Sequence, residues 1–154
     1  MSLDVGDRLP DFRLPSDGGG NLAFASLAGK KIVLYVYPKD DTSGCTHEAL
    51  AFRDMADAFA ASGTAVLGLS RDSVASHEKF KAKHALNFPL VSDENGEMCK
   101  ALGVWVQKTM YGKSYMGTER STFLIDEVGV IRRVWRKVKV SGHAAEVLAA
   151  AQAL

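Results

Sequence analysis

The apolar residues of this chain fall into short continuous runs that are separated by stretches of helical spacing. Runs at residues 32–37 and 64–70 are rich in β-branched and aromatic side chains and predict two buried strands. Shorter runs predict strands at 88–91 and 121–126, and residues 130–140 are expected to form a hairpin with the latter. The pattern therefore predicts a sheet whose strands are separated by helices.

Apolar side chains at helical spacing predict a helix whose first turn contains Cys45 and which runs to about residue 61, and further helices at 73–84, 94–102 and 144–153. Before the first buried strand, the sequence predicts an extended arm at 4–14, a turn between two short strands at 17–21, and one helical turn at 26–30. Strands alternating with helices, followed by a closing hairpin and helix, predict an α/β or α+β domain in three layers around a mixed sheet. We expect a single domain over residues 1–154.

Composition and charge exclude several classes of function. A hydrophobic content of 47% and a charged content of 24% are typical of a soluble globular protein, and the net charge of +1 gives no strong attraction for nucleic acid or an anionic membrane. The basic segment 132–139 is therefore interpreted as a solvated edge strand. No run is long enough to span a membrane and no signal-peptide pattern is present, so a cytoplasmic location is expected. Two distant cysteines also fit a reducing compartment.

The stretch from residue 35 to residue 46 carries the strongest chemical signal. Pro38 ends the predicted strand because proline has no N–H to donate within a sheet, and Thr42 or Ser43 is suited to cap a helix. Cys45 then falls in the first turn of that helix. Backbone N–H groups and the helix dipole favour negative charge there, so we expect Cys45 to be stabilised as a thiolate, its reactive form.

Cys45 also lies on the apolar stripe of the predicted helix. The other members of this stripe are Ala49, Phe52, Ala56 and Phe59. The sulfur is therefore expected to face a sheltered pocket, which is the setting of a nucleophile. The alternative is that Cys45 is a small buried hydrophobic residue without chemistry.

Pro38, Thr42 and Cys45 form the pattern P-x-x-x-T-x-x-C directly after a strand, and this resembles the active-site motif of the peroxiredoxins. The string Tyr-Pro-Lys-Asp-Asp-Thr-Ser-Gly-Cys-Thr, followed by Glu48, is similar to the bacterioferritin-comigratory, or Q, branch. The similarity extends from Gly6 to the C-terminal helix. It implies a thioredoxin-like fold with an N-terminal extension, and an antioxidant thiol peroxidase acting on hydrogen peroxide and organic hydroperoxides.

The resemblance also implies a role for each residue of the site. Cys45 would attack the peroxide and become a sulfenic acid, Thr42 would hydrogen-bond the peroxide, and Pro38 would shield the sulfur from water. Arg120, at the start of a predicted strand, would stabilise the thiolate, although a lone arginine there is more commonly just solvated. Glu48 would pair with Arg120, its alternative being an exposed helical glutamate. No metal or organic cofactor is expected, and the histidines show no zinc spacing with the cysteines.

The regeneration of Cys45 is where this chain departs from the pattern of its family. Many members carry a second cysteine five residues after the first, which is Leu50 here, and others carry it in the next helix, which here contains none. Cys99 is interpreted as a buried inert cysteine, with a resolving thiol as the alternative. We therefore expect a one-cysteine cycle that uses an external thiol. The family implies thioredoxin, glutaredoxin or a low-molecular-weight thiol as the reductant, and a monomer or weak dimer is expected.

Two rival functions use the same cysteine. A thioredoxin-type disulfide exchanger would require Cys-x-x-Cys, whereas Cys45 is followed three residues later by Glu48. A redox sensor or holdase would use Cys45 as a switch and stop after a single oxidation. Turnover distinguishes these possibilities, because an enzyme consumes many peroxides per chain when a reductant is supplied.

Overall fold

The computed structural model describes residues 2–154, so Met1, the first residue of the predicted domain, lies outside the described part. The strands are β1 (Arg13–Pro15), β2 (Asn21–Ala23), β3 (Lys31–Val36), β4 (Thr64–Ser70), β5 (Leu90–Ser92), β6 (Trp105–Met110), β7 (Lys113–Thr118), β8 (Ser121–Ile125) and β9 (Ile131–Trp135). The helices are α1 (Ser43–Asp54), α2 (Ala56–Ala61), α3 (Val74–His84), α4 (Glu97–Ala101) and α5 (His143–Ala153), with a 3-10 helix at Phe24–Leu27.

The main sheet is mixed, as predicted, and has the strand order β5-β4-β3-β8-β9. β3 pairs in parallel with β4 and antiparallel with β8, and β4 pairs in parallel with β5. β3 is therefore the central strand, and all six of its residues are buried. The basic strand β9 lies at the edge of the sheet, as the sequence predicted.

Alternation along β3 divides the core into two layers. Val33 and Tyr35 pack on one face of the sheet with apolar residues of α1, α2, α3 and α5. Leu34 and Val36 pack on the other face with α4 and with residues from the N-terminal segment, such as Leu9 and Phe24. The sheet is thus the middle of three layers, which confirms the predicted fold class.

Two predicted helices differ in extent from the observed ones. The helix predicted to follow a cap at Thr42 or Ser43 begins at Ser43, as predicted, but it is divided into α1 and α2 by Met55, whose backbone (φ −103°, ψ 4°) leaves the helical conformation. The predicted helix 94–102 is shortened to α4. Gly96 has a φ of 75°, which a right-handed helix does not contain, so the helix begins only at the next residue.

The predicted strand 130–140 was too long at its C-terminal end. β9 ends at Trp135, and Lys137 adopts a φ of 50° that turns the chain out of the sheet. Beyond this turn, the N–H of Val138 donates to the carbonyl of Arg120 at 3.0 Å. The segment after β9 is thereby fixed beside the residue that precedes β8.

The hairpin of β6 and β7 was not predicted. Its two strands pair only with each other, and most of their side chains are exposed on both faces, so no alternation of buried and solvated positions marks them in the sequence. The two-residue turn Tyr111-Gly112, with φ values of 53° and 76°, is the local signal that would have found the hairpin. Among residues 2–154, no helix combines the length and the apolar character needed to cross a membrane.

Candidate active site

Cys45 is placed at the beginning of α1 by the central strand of the sheet. The N–H of Tyr37, directly after β3, still donates to the carbonyl of Leu69 in β4 at 3.0 Å, so the chain leaves the sheet only at Pro38. A short loop then leads to α1, in which Cys45 is the third residue. Its side chain is 1% exposed and packs in the core cluster that includes Phe52.

The loop before α1 places Thr42 at the N-cap, but its side chain does not cap the helix. The Thr42 backbone is extended (φ −88°, ψ 158°), and its carbonyl accepts the first helical hydrogen bond, from Thr46 N–H at 2.8 Å. Its hydroxyl instead donates to the carbonyl of Lys39 at 2.8 Å. The lone pairs of this exposed hydroxyl therefore remain available as acceptors. Pro38, at the other end of the loop, is exposed to solvent.

Arg120 reaches Cys45 and Glu48 from the opposite side of the site. It lies between β7 and β8, and Ser121, the first residue of β8, pairs with the last residue of β3. One guanidinium nitrogen, Nη2, donates to Cys45 Sγ at 3.3 Å, and Nη1 donates to Glu48 Oε1 at 2.7 Å. A side chain at residue 44 would crowd this arrangement, because a Cβ on Gly44 would lie 3.2 Å from Nη2.

Burial and ion pairing shift the pKa values of Glu48 and Arg120. Glu48 is 1% exposed, and burial raises the pKa of its carboxyl to about 7 although the Arg120 guanidinium acts in the opposite direction. The pKa of Arg120 is raised, because attraction to Glu48 and Cys45 outweighs its burial, which alone would lower it. The cation beside Cys45 is therefore permanent, whereas the charge on Glu48 changes near neutral pH.

Comparison with known proteins shows which family the chain belongs to. Residues 5–134 match the family described as AhpC/TSA. The chain belongs to the AhpC/TSA family. A relative from Coxiella burnetii, named putative peroxiredoxin bcp, is 53% identical over 148 residues, which cover 96% of this chain and 98% of the relative.

Solved structures of AhpC/TSA relatives share the whole fold. The bacterioferritin comigratory protein of Xanthomonas campestris, described for its alkyl peroxide reduction activity, has a TM-score of 0.92 at 46% identity, covering 97% of this chain and 98% of that one. A cysteine-to-serine variant of PrxQ from Xylella fastidiosa has a TM-score of 0.95 at 42% identity, covering 99% and 98%. These relatives confirm the predicted peroxiredoxin family, its bacterioferritin-comigratory or Q branch, the thioredoxin-like fold and the predicted class of enzyme.

Within this AhpC/TSA fold, Cys99 lies on the other face of the sheet from Cys45. Cys99 is fully buried in the core layer formed with α4, and both cysteines are free thiols. Burial raises the pKa of the Cys99 thiol far above its usual range, and a hydrogen bond with Asp93 raises it further. The sheet therefore stands between the two thiols, so a bond between them would require a large part of the fold to open.

Two buried groups near the site escaped the sequence analysis. Tyr35, in β3, lies in the same core cluster as Cys45, and its buried hydroxyl has no hydrogen-bond partner among residues 2–154. Burial raises its pKa well above the usual value, with the charges of Glu48 and Cys45 adding to the effect. Nothing in the local sequence distinguishes Tyr35 from an ordinary aromatic residue of a strand.

The second missed group joins the loop before α1 to the rest of the fold. Asp40, Asp72 and His77 place one side-chain atom each within 4.8 Å of one another, and within residues 2–154 no other cluster has a comparable geometry for a metal ion. Asp40 and His77 are hydrogen-bonded to each other at 2.7 Å, and Asp72 accepts hydrogen bonds from Asp40 N–H and from Ser70. These atoms already satisfy one another, which makes the group a polar network.

Proposed function

We propose that this chain is a thiol peroxidase in which Cys45 reduces hydrogen peroxide and organic hydroperoxides. The thiolate sulfur bonds to one peroxide oxygen while the O–O bond breaks. The sulfur is oxidised to a sulfenic acid, and the other oxygen leaves as water or an alcohol after taking up a proton. The observation that carries this proposal is the 3.3 Å contact between Arg120 Nη2 and Cys45 Sγ at the start of α1.

The neighbouring donors and acceptors support this chemistry. Arg120 supplies a fixed positive charge that stabilises both the thiolate and the negative charge that develops on the peroxide oxygens. Backbone N–H groups of the first turn of α1 have no helical acceptor and point toward the same region. The Thr42 hydroxyl, whose proton is used by Lys39 O, accepts a hydrogen bond from the O–H of the incoming peroxide.

The remaining two predicted residues act at the margin of the site. Glu48 holds the guanidinium in place through its 2.7 Å contact, so it acts on Cys45 only through Arg120. Pro38 stands at the exposed end of the loop, where its ring limits the access of water to the sulfur. Glu48 is thus a positioning residue and Pro38 a shield, and neither side chain exchanges electrons or protons with the peroxide.

An external thiol reduces the sulfenic acid in the proposed cycle. Cys99 is separated from Cys45 by the sheet, and neither of the two resolving positions of the family holds a cysteine in this chain. Because Cys45 is 1% exposed, the first turn of α1 must open before a thiol of thioredoxin, glutaredoxin or a small molecule can attack the sulfur. The cycle therefore couples chemistry to a local opening of this helix.

Mass spectrometry after one equivalent of peroxide tests the proposal directly. We expect a sulfenic acid on Cys45 that a dimedone-type reagent traps, with the control variant Cys99→Ser behaving like the parent. With excess thiol, many peroxides should be consumed per chain. A Cys45–Cys99 disulfide in the peptide map would overturn the one-cysteine cycle, and consumption that stops after one peroxide per chain would indicate a sensor or holdase.

A further inference from the structure

A buried acidic side chain holds the loop that carries Thr42. Asp40 is 7% exposed, and its carboxylate accepts three hydrogen bonds from side chains. Tyr37 O–H donates to Oδ1 at 2.6 Å, while Ser76 O–H at 2.8 Å and the Nδ1 of His77 at 2.7 Å both contact Oδ2. The loop between β3 and α1 is thereby tied to α3, which supplies Ser76 and His77.

The ring of His77 has an acceptor at each nitrogen. Its side chain is fully buried, with Nδ1 against the Asp40 carboxylate and Nε2 at 3.0 Å from the carbonyl of Val91 in β5. Neither partner has a hydrogen to donate, because one is a carboxylate and the other a main-chain carbonyl. The Tyr37 hydroxyl also lies 3.4 Å from Nδ1, but it donates its proton to Asp40 Oδ1 at 2.6 Å. With Asp40 ionised, both ring nitrogens therefore carry a proton, and His77 is an imidazolium ion paired with Asp40.

The charges around this pair come from four parts of the fold. Asp40 follows β3, Asp72 follows β4, His77 lies in α3, and Val91 presents its carbonyl from β5. Asp72 accepts the main-chain N–H of Asp40 at 2.8 Å, so the cation faces two carboxylates. The pKa of His77 is raised, because Asp40 above all, and Val91 O and Asp72 less strongly, outweigh the burial that alone would lower it.

Asp40 controls the conformation of the loop on both sides. Its main-chain N–H and its carboxylate are both bonded, and the preceding carbonyl, that of Lys39, accepts the Thr42 hydroxyl at 2.8 Å. Asp41, between Asp40 and Thr42, has a φ of 60°, a left-handed conformation that aspartate adopts more readily than most residues other than glycine. Because the Lys39 carbonyl directly precedes Asp40, release of Asp40 would displace the acceptor of the Thr42 hydroxyl and with it the hydroxyl itself.

We propose that the buried His77–Asp40 ion pair positions Thr42 for peroxide reduction by anchoring the loop of residues 38–42 to α3. The proposal rests on the function proposed above for Cys45 and Thr42. His77 and Asp40 do not touch the reacting atoms, so they are positioning residues. Their effect must appear in the geometry and the rate of the first oxidation, together with the ionisation of His77.

The same loop has a second tie to α3 that serves as a matched control. The Asp41 carboxylate contacts Lys83 Nζ at 2.8 Å, with the two side chains 47% and 61% exposed, and it also contacts His84 Nε2 at 3.2 Å, a contact that the removal of Lys83 leaves in place. Solvent screens such a pair, and exposed ion pairs contribute little to stability. Loss of the Asp41–Lys83 pair should therefore leave the loop in place, whereas loss of the His77–Asp40 pair should release it.

Nitrogen NMR of the imidazole in the unmodified chain is the first test. At pH 7, the ¹⁵N shifts of His77 should show protons on both ring nitrogens, with deprotonation only at a pH above the ordinary histidine range. Because the pKa is raised in the folded state, the anchoring by this pair is present at low pH and is lost as the pH rises through the folded-state value. A neutral His77 ring at pH 7 would overturn the proposal.

Rates of Cys45 oxidation in a single turnover are the second test. His77→Gln should oxidise roughly 10–100-fold more slowly at pH 7, comparable with the effect of a small misplacement of a group that orients substrate. Lys83→Ala should stay within about twofold of the parent, as expected for an exposed pair. Amide hydrogen exchange of residues 39–42 should be faster in His77→Gln alone. A parent-like rate and parent-like exchange in that variant would also overturn the proposal.

Two further measurements keep the result decisive. If His77→Gln does not fold, Tyr37→Phe, which removes only one hydrogen bond to Asp40, should still show faster exchange of the loop, and unchanged exchange would count against the anchor. If the parent chain does not consume peroxide, the proposed function fails, but the NMR and exchange measurements still decide whether the His77–Asp40 pair anchors the loop.

Discussion

The two cysteines of this chain occupy nearly the same local position and differ in what surrounds them. Each is the third residue of a helix, Cys45 in α1 and Cys99 in α4, and neither is more than 1% exposed. A cation, Arg120, contacts the sulfur of Cys45, whereas a carboxylate, Asp93, lies beside Cys99. A place at the start of a helix is therefore not enough to make a thiol reactive.

The charged side chains beside the two thiols come from opposite faces of the sheet. On one face, β8 is preceded by Arg120, whose guanidinium is directed at α1 by Glu48. On the other face, Asp93 accepts the N–H groups of Met98 and Cys99, so a negative charge takes the place that a thiolate would need. The comparison shows that the two thiols differ in the charged side chain beside them, Arg120 at Cys45 and Asp93 at Cys99.

The largest expected effect comes from removing each thiol in turn. Cys45→Ser should abolish peroxide consumption, since serine at that position cannot form a sulfenic acid, while Cys99→Ser should keep most of the activity. Peroxide consumption with excess dithiothreitol measures both variants. More than a trace of activity in Cys45→Ser, or loss of activity in a folded Cys99→Ser, would reverse the contrast between the two thiols.

Removal of the cation should have the next largest effect. Arg120→Ala should slow the oxidation of Cys45 by roughly 10²-fold, comparable with the loss of one donor that stabilises charge in a transition state. Rapid-mixing measurements of that step give the rate. The matched control is Arg71→Ala, because Arg71 is a cation whose charge acts on Cys99. Equal rates in the parent and Arg120→Ala would leave Arg120 without a role at the sulfur.

Replacement of Glu48 should have the smallest effect, a change in the free energy of unfolding that depends on pH. The folded pKa of Glu48, about 7, lies above the ordinary value of 4.5, so the protonated carboxyl is favoured by folding and stability should fall as the pH rises from below 4.5 through 7. Glu48→Gln resembles the protonated form and does not lose this contribution. Its stability relative to the parent should therefore be greater at pH 8 than at pH 5. Urea unfolding at the two pH values measures this difference, and a difference that does not change with pH would contradict the raised pKa.

Local chemistry explains why the thiol side of the site could be predicted. The strand end, the loop and the first turn of α1 are contiguous, so Pro38, Thr42 and Cys45 stand together in the sequence. Arg120 is 75 residues from Cys45, and only the resemblance to a family identified it. The pair of Asp40 and His77, 37 residues apart, was missed because neither residue differs locally from a solvated polar side chain.

The errors in the predicted fold also have local causes. The hairpin of β6 and β7 has no buried face, so its sequence does not alternate between apolar and polar residues. The helix predicted to start at residue 94 starts only after Gly96, because the φ of Gly96 is positive. The division of α1 from α2 at Met55 involves neither glycine nor proline, so the sequence contains no signal for it. Burial patterns thus predicted the central sheet well and its exposed connections poorly.

Gly44 links the placement of Arg120 to the opening of α1 that we propose for regeneration of the thiol. The absence of a Cβ leaves room for the guanidinium, since that atom would lie 3.2 Å from Nη2. Glycine also loses more backbone freedom than any other residue when it is held in a helix. The turn that we propose opens to admit a reductant is therefore weakened by the same residue that allows the cation to approach, so a bulkier residue 44 would oppose oxidation and re-reduction for two separate physical reasons.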